Sequence, residues 1–184
     1  MNDSQKFGFK VIVIGDGSVG KTSLIKKFTQ GTFQKEYIKT IGAQFSEFFA
    51  EISGDKIRLL FWDIAGQDDF LFLRPSFYRE SRAAIIVYSL EENDLGTRSF
   101  EHITNWHDDI KQYCGDIPIV VFANKVDLIE EDNLDKTKIQ ELIKERNFLG
   151  YYITSAKTGE GVYKAFNTLI EKLYNKFKAL SNEL

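Results

Sequence analysis

Cysteine is nearly absent from this chain. Cys114 is the single thiol in 184 residues, so no disulfide can close within it and no Cys-x-x-Cys pair exists for metal or redox chemistry. That usage suits a reducing compartment. Histidine is almost as scarce: His102 and His107 stand five apart, which on a helix turns them to different faces, so they read as solvated helix residues and not as a metal pair. No apolar run approaches the ~20 residues that a membrane-spanning helix needs. The opening MNDSQKFGFK has neither a secretory apolar core nor an M-G acylation signal. A basic excess is missing too; the formal net charge is −3, which removes the electrostatic case for a nucleic-acid partner. The expected setting is cytoplasmic.

What is present is the make-up of an ordinary globular protein, 43% hydrophobic and 28% charged, long enough for one domain with a full core. Short apolar runs alternate with amphipathic ones throughout. FKVIVIG reads as a strand and KTSLIKKFTQ as the helix after it, with Leu24, Ile25 and Phe28 on one face. AQFSEFFAEI and KIRLLFWDI are two strands whose link, SGDK, marks a hairpin. RAAIIVYSL and IPIVVFANK are continuously apolar, as strands covered on both faces are, and YYITSAK supplies a sixth. Helices are predicted over 97–113, 136–147 and 160–180, the last from Val162, Ala165, Phe166, Leu169, Ile170, Leu173 and Phe177 at three- and four-residue spacing. The fold class is therefore α/β: a single domain over residues 1–184 with a mostly parallel six-stranded sheet, one antiparallel hairpin strand and about five helices on both faces. In such sheets ligands bind beyond the carboxyl ends of the strands.

KVIVIGDGSVGKTSL, at residues 10–24, fits two phosphate-binding patterns at once. Gly15, Gly17 and Gly20 spell the dinucleotide fingerprint G-x-G-x-x-G; Gly15, Gly20, Lys21 and Thr22 spell the triphosphate loop G-x-x-x-x-G-K-T. A dinucleotide site wants an acid about 20 residues on, at the end of the second strand, to hold the ribose. Glu36 has the distance but ends no apolar strand. In the triphosphate reading the loop of Gly15, Asp16, Gly17, Ser18, Val19 and Gly20, continuing to Ser23, cradles phosphates on its amides. Lys21 then reaches the β and γ oxygens and the Thr22 hydroxyl ligates Mg²⁺.

Two further motifs decide for the triphosphate. In LLFWDIAGQ an apolar strand ends at Asp63, suitably set to hold Mg²⁺ as a Walker-B acid does. Gly66 then offers a backbone amide to a γ-phosphate, and the Gln67 side chain can orient a water for in-line attack. In VVFANKVDL another strand ends in Asn124, Lys125 and Asp127. A carboxylate only accepts, so Asp127 wants two donors on one edge; guanine offers N1–H and its exocyclic amine, where adenine has an acceptor and a bare carbon. Asn124 would tie that loop to the purine or to the phosphate loop, and the Lys125 stem would pack on the base. The expected ligand is GTP or GDP.

With these three motifs in order, the chain resembles the Ras superfamily of small GTPases, and most closely its Rab branch, from about Lys10 to about Leu173. YIKTIGAQF is similar to a Rab switch I and WDIAGQDDF to the opening of a Rab switch II. Ser155, Ala156 and Lys157 match the family's last guanine-contacting loop, with the Ala156 amide on the guanine oxygen. The resemblance implies that Thr40 meets Mg²⁺ and the γ-phosphate only in the GTP state, that Phe33 packs on the guanine edge, and that Tyr37 lies over the phosphates. It puts the effector-facing aromatic triad on Phe45, Trp62 and Phe77, and catalysis on Gln67, Thr40 and Lys21. A monomeric GTP/GDP switch in membrane trafficking or related signalling follows, with effectors, exchange factors and GTPase-activating proteins as partners. Intrinsic hydrolysis is expected to be slow, because no arginine lies between Gln30 and Glu51 to act in cis. A partner's arginine would accelerate it by roughly 10³–10⁵. Arg74, Arg79 and Arg82 read as cover for the switch II helix.

The chain departs from the Rab pattern in two places. Rab chains end in prenylated cysteines, whereas this one ends KFKALSNEL, so membrane attachment through such a tail is open: either the tail is trimmed or the protein is never prenylated. Without the tail, the expected location is cytoplasmic, peripheral at a membrane only by recruitment or a lost tail. Lys172, Lys176 and Lys178 beside Leu173, Tyr174 and Phe177 read as the solvated side of a core-packed helix. In switch II, Ile64 replaces the usual threonine and Asp68-Asp69 the usual Glu-Arg, which bears on which regulators recognise it. A competing class, a GTP-binding adaptor that does not hydrolyse, is opposed by Gln67, Thr40 and Gly17, whose loss marks dead switches.

Overall fold

The computed structural model describes residues 5–33, 40–66, 72–130 and 136–182. Strand β1 (Lys6–Ile14) carries two interleaved apolar sets. Phe9, Val11 and Val13 enter one core and Ile12 and Ile14 the other, because successive side chains leave a strand on opposite faces. β1 is therefore the middle of a layered molecule. Around it the sheet runs β2 (Ala43–Ile52), β3 (Asp55–Ile64), β1, β4 (Ala83–Ser89), β5 (Ile119–Asn124) and β6 (Gly150–Thr154). β2 pairs antiparallel with β3, from Ala43↔Ile64 to Ile52↔Asp55; the pairings β1–β3, β1–β4, β4–β5 and β5–β6 are parallel. The hairpin turns on Ser53 and Gly54, both at positive φ (53° and 84°), the twist that suits a two-residue link.

The first core lies under α1 (Lys21–Gln30) and α6 (Val162–Asn182). Its centre is aromatic: Phe28 stacks on Phe166 at 4.4 Å and meets Phe48 at 4.5 Å and Phe61 at 6.1 Å. The second lies under α2 (Arg74–Tyr78), α4 (Ile103–Cys114) and α5 (Thr137–Arg146), which bring Tyr78, Trp106, Ile110 and Ile139 onto Ile12, Ile86 and Val121. Every residue of β4 and β5 is buried, as their continuous apolar runs require.

The helix expected over 97–113 is instead two, α3 (Asp94–Glu101) and α4, joined at His102. α3 starts early because the Asn93 side chain accepts the Gly96 amide at 3.0 Å and supplies its cap. The lysine side of α6 is as expected around a buried stripe of Leu169, Ile170, Leu173 and Tyr174, except that Lys178 is tied to Asp55. No described helix is long and apolar enough to cross a membrane. Because chain order steps from β1 to β3 on one side and to β4 on the other, a crevice opens at the carboxyl end of β1.

Candidate functional site

The loop after β1 is pinned by close approaches that only glycine permits. At Gly15 (φ 138°) a Cβ would overlap the Val87 carbonyl, and at Gly20 (φ 101°) it would overlap the Asn124 side-chain amide. Between them the chain turns into α1, whose first residue is Lys21. The Lys21 ammonium is buried and donates to the Gly15 and Asp16 carbonyls at 2.8 and 2.7 Å. Burial pulls its pKa down to about 8, against the opposing pull of Asp63 and Asp16.

One residue further, the Thr22 hydroxyl donates to Asp63 Oδ2 and lies 3.1 Å from the Thr40 hydroxyl. Asp63 is buried at the end of β3, and burial pushes its carboxyl above the usual range although Thr22 and Lys21 pull it back. Its Oδ1 is buried with no hydrogen-bond partner among the described residues. Two hydroxyls and a half-satisfied carboxylate thus converge, a hard oxygen set of the kind Mg²⁺ takes. Among the described residues no group of three His, Cys, Asp or Glu side chains offers a competing site.

At the other end of the crevice Asn124 is the brace. Its Nδ2 donates to Val19 O at 2.9 Å, and its Oδ1 accepts from the Ala156 amide at 3.1 Å and the Thr154 hydroxyl at 3.3 Å. One buried amide so joins the loop after β1, β5 and the loop after β6. The Ala156 amide, expected on a base oxygen, is engaged with Asn124 here. Asp127 accepts from Ser155 Oγ at 2.6 Å and has Lys157 Nζ 3.4 Å from its other oxygen. Lys125, at φ 73°, is bonded through its ammonium to Glu91, which also accepts from Ser89 Oγ at 2.9 Å.

The expected switch residues are partly in view. Gly66 packs against the loop after β1 so tightly that a Cβ would collide with the Gly15 carbonyl and the Asp16 backbone. Thr40 reaches Thr22, whereas Phe33 is exposed. Ser18 adopts φ 65° at the exposed tip of the loop, and Gly17 and Ser23 flank the lysine in sequence. Gln67 and Tyr37 lie outside the described residues. Phe45, Trp62 and Phe77 do form one cluster, with ring centroids 4.5 Å apart for the first pair and 5.8 Å for the second. Lys10 caps the Trp62 ring at 3.6 Å.

Two expectations about single residues fail. His107 is not solvated but 6% exposed, edge-on to Phe148 at 5.3 Å. His102 is exposed as expected, and its ring also meets the Asp16 carboxylate, which accepts from Trp106 Nε1 as well. Arg74, like His107, is buried, paired with Asp109 at 3.0 Å rather than spread over its helix. Arg74 lies where α2 meets α4 and His107 where α4 meets the end of α5, and spacing along the chain carries no sign of either packing.

Known sequences give the same answer from a different direction. A sequence model described as the Ras family matches residues 10–175. The chain is 35% identical over 176 residues to Ras-related protein Rab-18-B of Danio rerio, an alignment covering 94% of this chain and 82% of that protein. It is also 35% identical over 170 residues to Ras-related protein Rab-21 of Bos taurus, covering 91% and 73%. With these loops and the Asp63 carboxylate gathered at the carboxyl edge of one sheet, the chain belongs to the Ras family, as a Rab-like small GTPase that switches by hydrolysing GTP.

Proposed function

We propose that the crevice binds GTP and GDP together with Mg²⁺ and passes the nucleotide state to protein partners through two switch segments. The observation that carries this reading is the convergence of Thr22, Thr40 and Asp63 beside Lys21, with Asp63 Oδ1 still lacking a partner among the described residues. Those three residues would hold the ion. Bound there, Mg²⁺ supplies charge neutralisation on the β and γ oxygens. Lys21 would exchange two loop carbonyls for phosphate oxygens, which would stabilise the charge that burial disfavours. Loop amides from Gly15 to Ser23 would cradle the phosphates at the start of α1.

Asp127 would read the guanine edge, and the Ala156 amide would turn from Asn124 to the guanine oxygen. Phe33 and the Lys125 stem would flank the base, and Tyr37 the phosphates. In the triphosphate state Thr40 and Gly66 would tether both switches by their amides, and Gln67 would orient the attacking water. Loss of the γ-phosphate releases both tethers, which makes the reaction a timer.

Phe45, Trp62 and Phe77 give the switch an outward face: Phe45 remains 57% exposed. We assign that face to effectors, exchange factors and activating proteins, in membrane trafficking or related signalling. The protein would act as a monomer, cytoplasmic or held at a membrane by a partner.

Single-turnover hydrolysis of GTP with Mg²⁺, comparing wild type with Gln67→Leu, tests the reading. Slow conversion that the variant slows further supports it. Tight GTP binding with no conversion in either protein, even with a supplied activating protein, would replace it with a non-hydrolysing adaptor.

A further inference from the structure

A carboxylate in a phosphate-binding loop is an electrostatic liability, and Asp16 is such a residue. Its backbone carbonyl accepts from Lys21 at 2.7 Å, so it sits within the loop that would hold the phosphates. Its side chain is drawn the other way. Asp16 Oδ2 lies 2.8 Å from His102 Nδ1, and Asp16 Oδ1 accepts from Trp106 Nε1 at 2.9 Å. A carboxylate only accepts, so His102 Nδ1 must carry the proton. Both donors come from the junction of α3 and α4, 86 and 90 residues along the chain.

The Trp106 donor is itself fixed. The Arg74 guanidinium lies 4.2 Å from the Trp106 ring centroid, over its face, and pairs with Asp109 one turn below. Arg74 opens α2, the helix that follows the switch II segment. The chain of contacts therefore runs from α2 through Trp106 to the phosphate loop. Gly66 presses on the same Gly15–Asp16 backbone from β3.

We propose that His102 and Trp106 are positioning residues of this GTPase. By holding the Asp16 carboxylate against α4, they keep its charge off the phosphates and fix the loop that binds them. Arg74 backs the Trp106 ring. The inference rests on the guanine-nucleotide reading of the crevice and deepens it.

The test is the rate of release of a fluorescent GDP analogue from the full chain with Mg²⁺. His102→Leu removes one donor at a half-exposed surface site, and Trp106→Phe removes the other while keeping a ring. A hydrogen bond to a charged group is worth enough that each loss should speed release about tenfold or more. His102→Asn keeps a donor near the Nδ1 position and should stay close to wild type, which a general packing role would not predict. In an Asp16→Ala background, adding His102→Leu should leave release within about twofold of Asp16→Ala alone, since the partner is already gone. Unchanged release in His102→Leu, or release from His102→Asn as fast as from His102→Leu, overturns the proposal. Wild-type protein that does not hold GDP at all would instead overturn the guanine reading beneath it, and this inference with it.

Discussion

At Asp127 the carboxylate plane is set before any base arrives. Ser155 donates to one oxygen at 2.6 Å and Lys157 stands 3.4 Å from the other. As the proposed reader of the base, Asp127 would accept from two donors on one ligand edge, two charge-assisted hydrogen bonds that an edge without those donors cannot make. Asp127→Asn places a donor where one acceptor stood. We expect its GTP affinity to fall by about 10²-fold or more and xanthosine triphosphate, whose C2 carbonyl accepts from an amide, to become the better ligand. Competition binding with the two nucleotides checks this; retained GTP preference would mean that the base is read elsewhere. The places of such residues in the fold were legible in the sequence because they follow from local spacing, as with Lys21 at the start of α1 and Asp63 near the end of β3. The second life of Asp16 was not legible. Its side-chain partners come from a helix junction 86 and 90 residues away, and no spacing near Gly15 encodes them.

Among elements, the β2–β3 hairpin is fastened to α6 by one acid. Asp55 is 4% exposed and accepts from the Gln5 amide at 2.8 Å, Tyr174 Oη at 2.9 Å and Lys178 Nζ at 2.7 Å. The Lys178 hydrogen bond, with the Gln5 amide, holds the Asp55 carboxyl below its ordinary range, and the same contact holds Lys178 above its own. A depressed acid stabilises the fold above the unfolded Asp range and loses that contribution as pH falls through the folded value. A raised lysine stabilises below the unfolded Lys range and loses it as pH rises through its folded value. The clamp is therefore worth most between about pH 5 and about pH 9. We expect Asp55→Asn to melt below wild type at neutral pH, with the gap narrowing under about pH 4. A gap of constant width across that range would assign the loss to packing and not to the ion pair. The strands and α1 themselves were readable from period and turn chemistry, since AQFSEFFAEI and KTSLIKKFTQ each form their element end to end. The start of α3 was not, because it depends on the Asn93 cap rather than on apolar spacing.

For the whole molecule, the crevice is where the sheet is least finished. Asn124 ties β5 and the β6 loop to the loop after β1, Gly66 packs closely on that loop, and between them lie a depressed lysine and an Asp63 oxygen with no hydrogen-bond partner among the described residues. The proposed ligands would relieve each of these costs, so nucleotide and Mg²⁺ should stabilise the fold as a unit. A ligand that binds only the native state at about 100 times its Kd adds ~2.7 kcal/mol. For a domain of this size each kcal/mol moves Tm by about 2–4 °C, so GDP with Mg²⁺ should raise Tm by roughly 5–11 °C. Chelation by EDTA should return part of that gain, because Thr22 and Asp63 then face the phosphates without the cation that joins them. ATP with Mg²⁺ offers the same phosphates and the same ion but the wrong edge to Asp127. It should leave Tm close to that of the nucleotide-free protein, and an ATP shift equal to the GDP shift would show that the phosphate end alone decides binding and that the base loops do not discriminate.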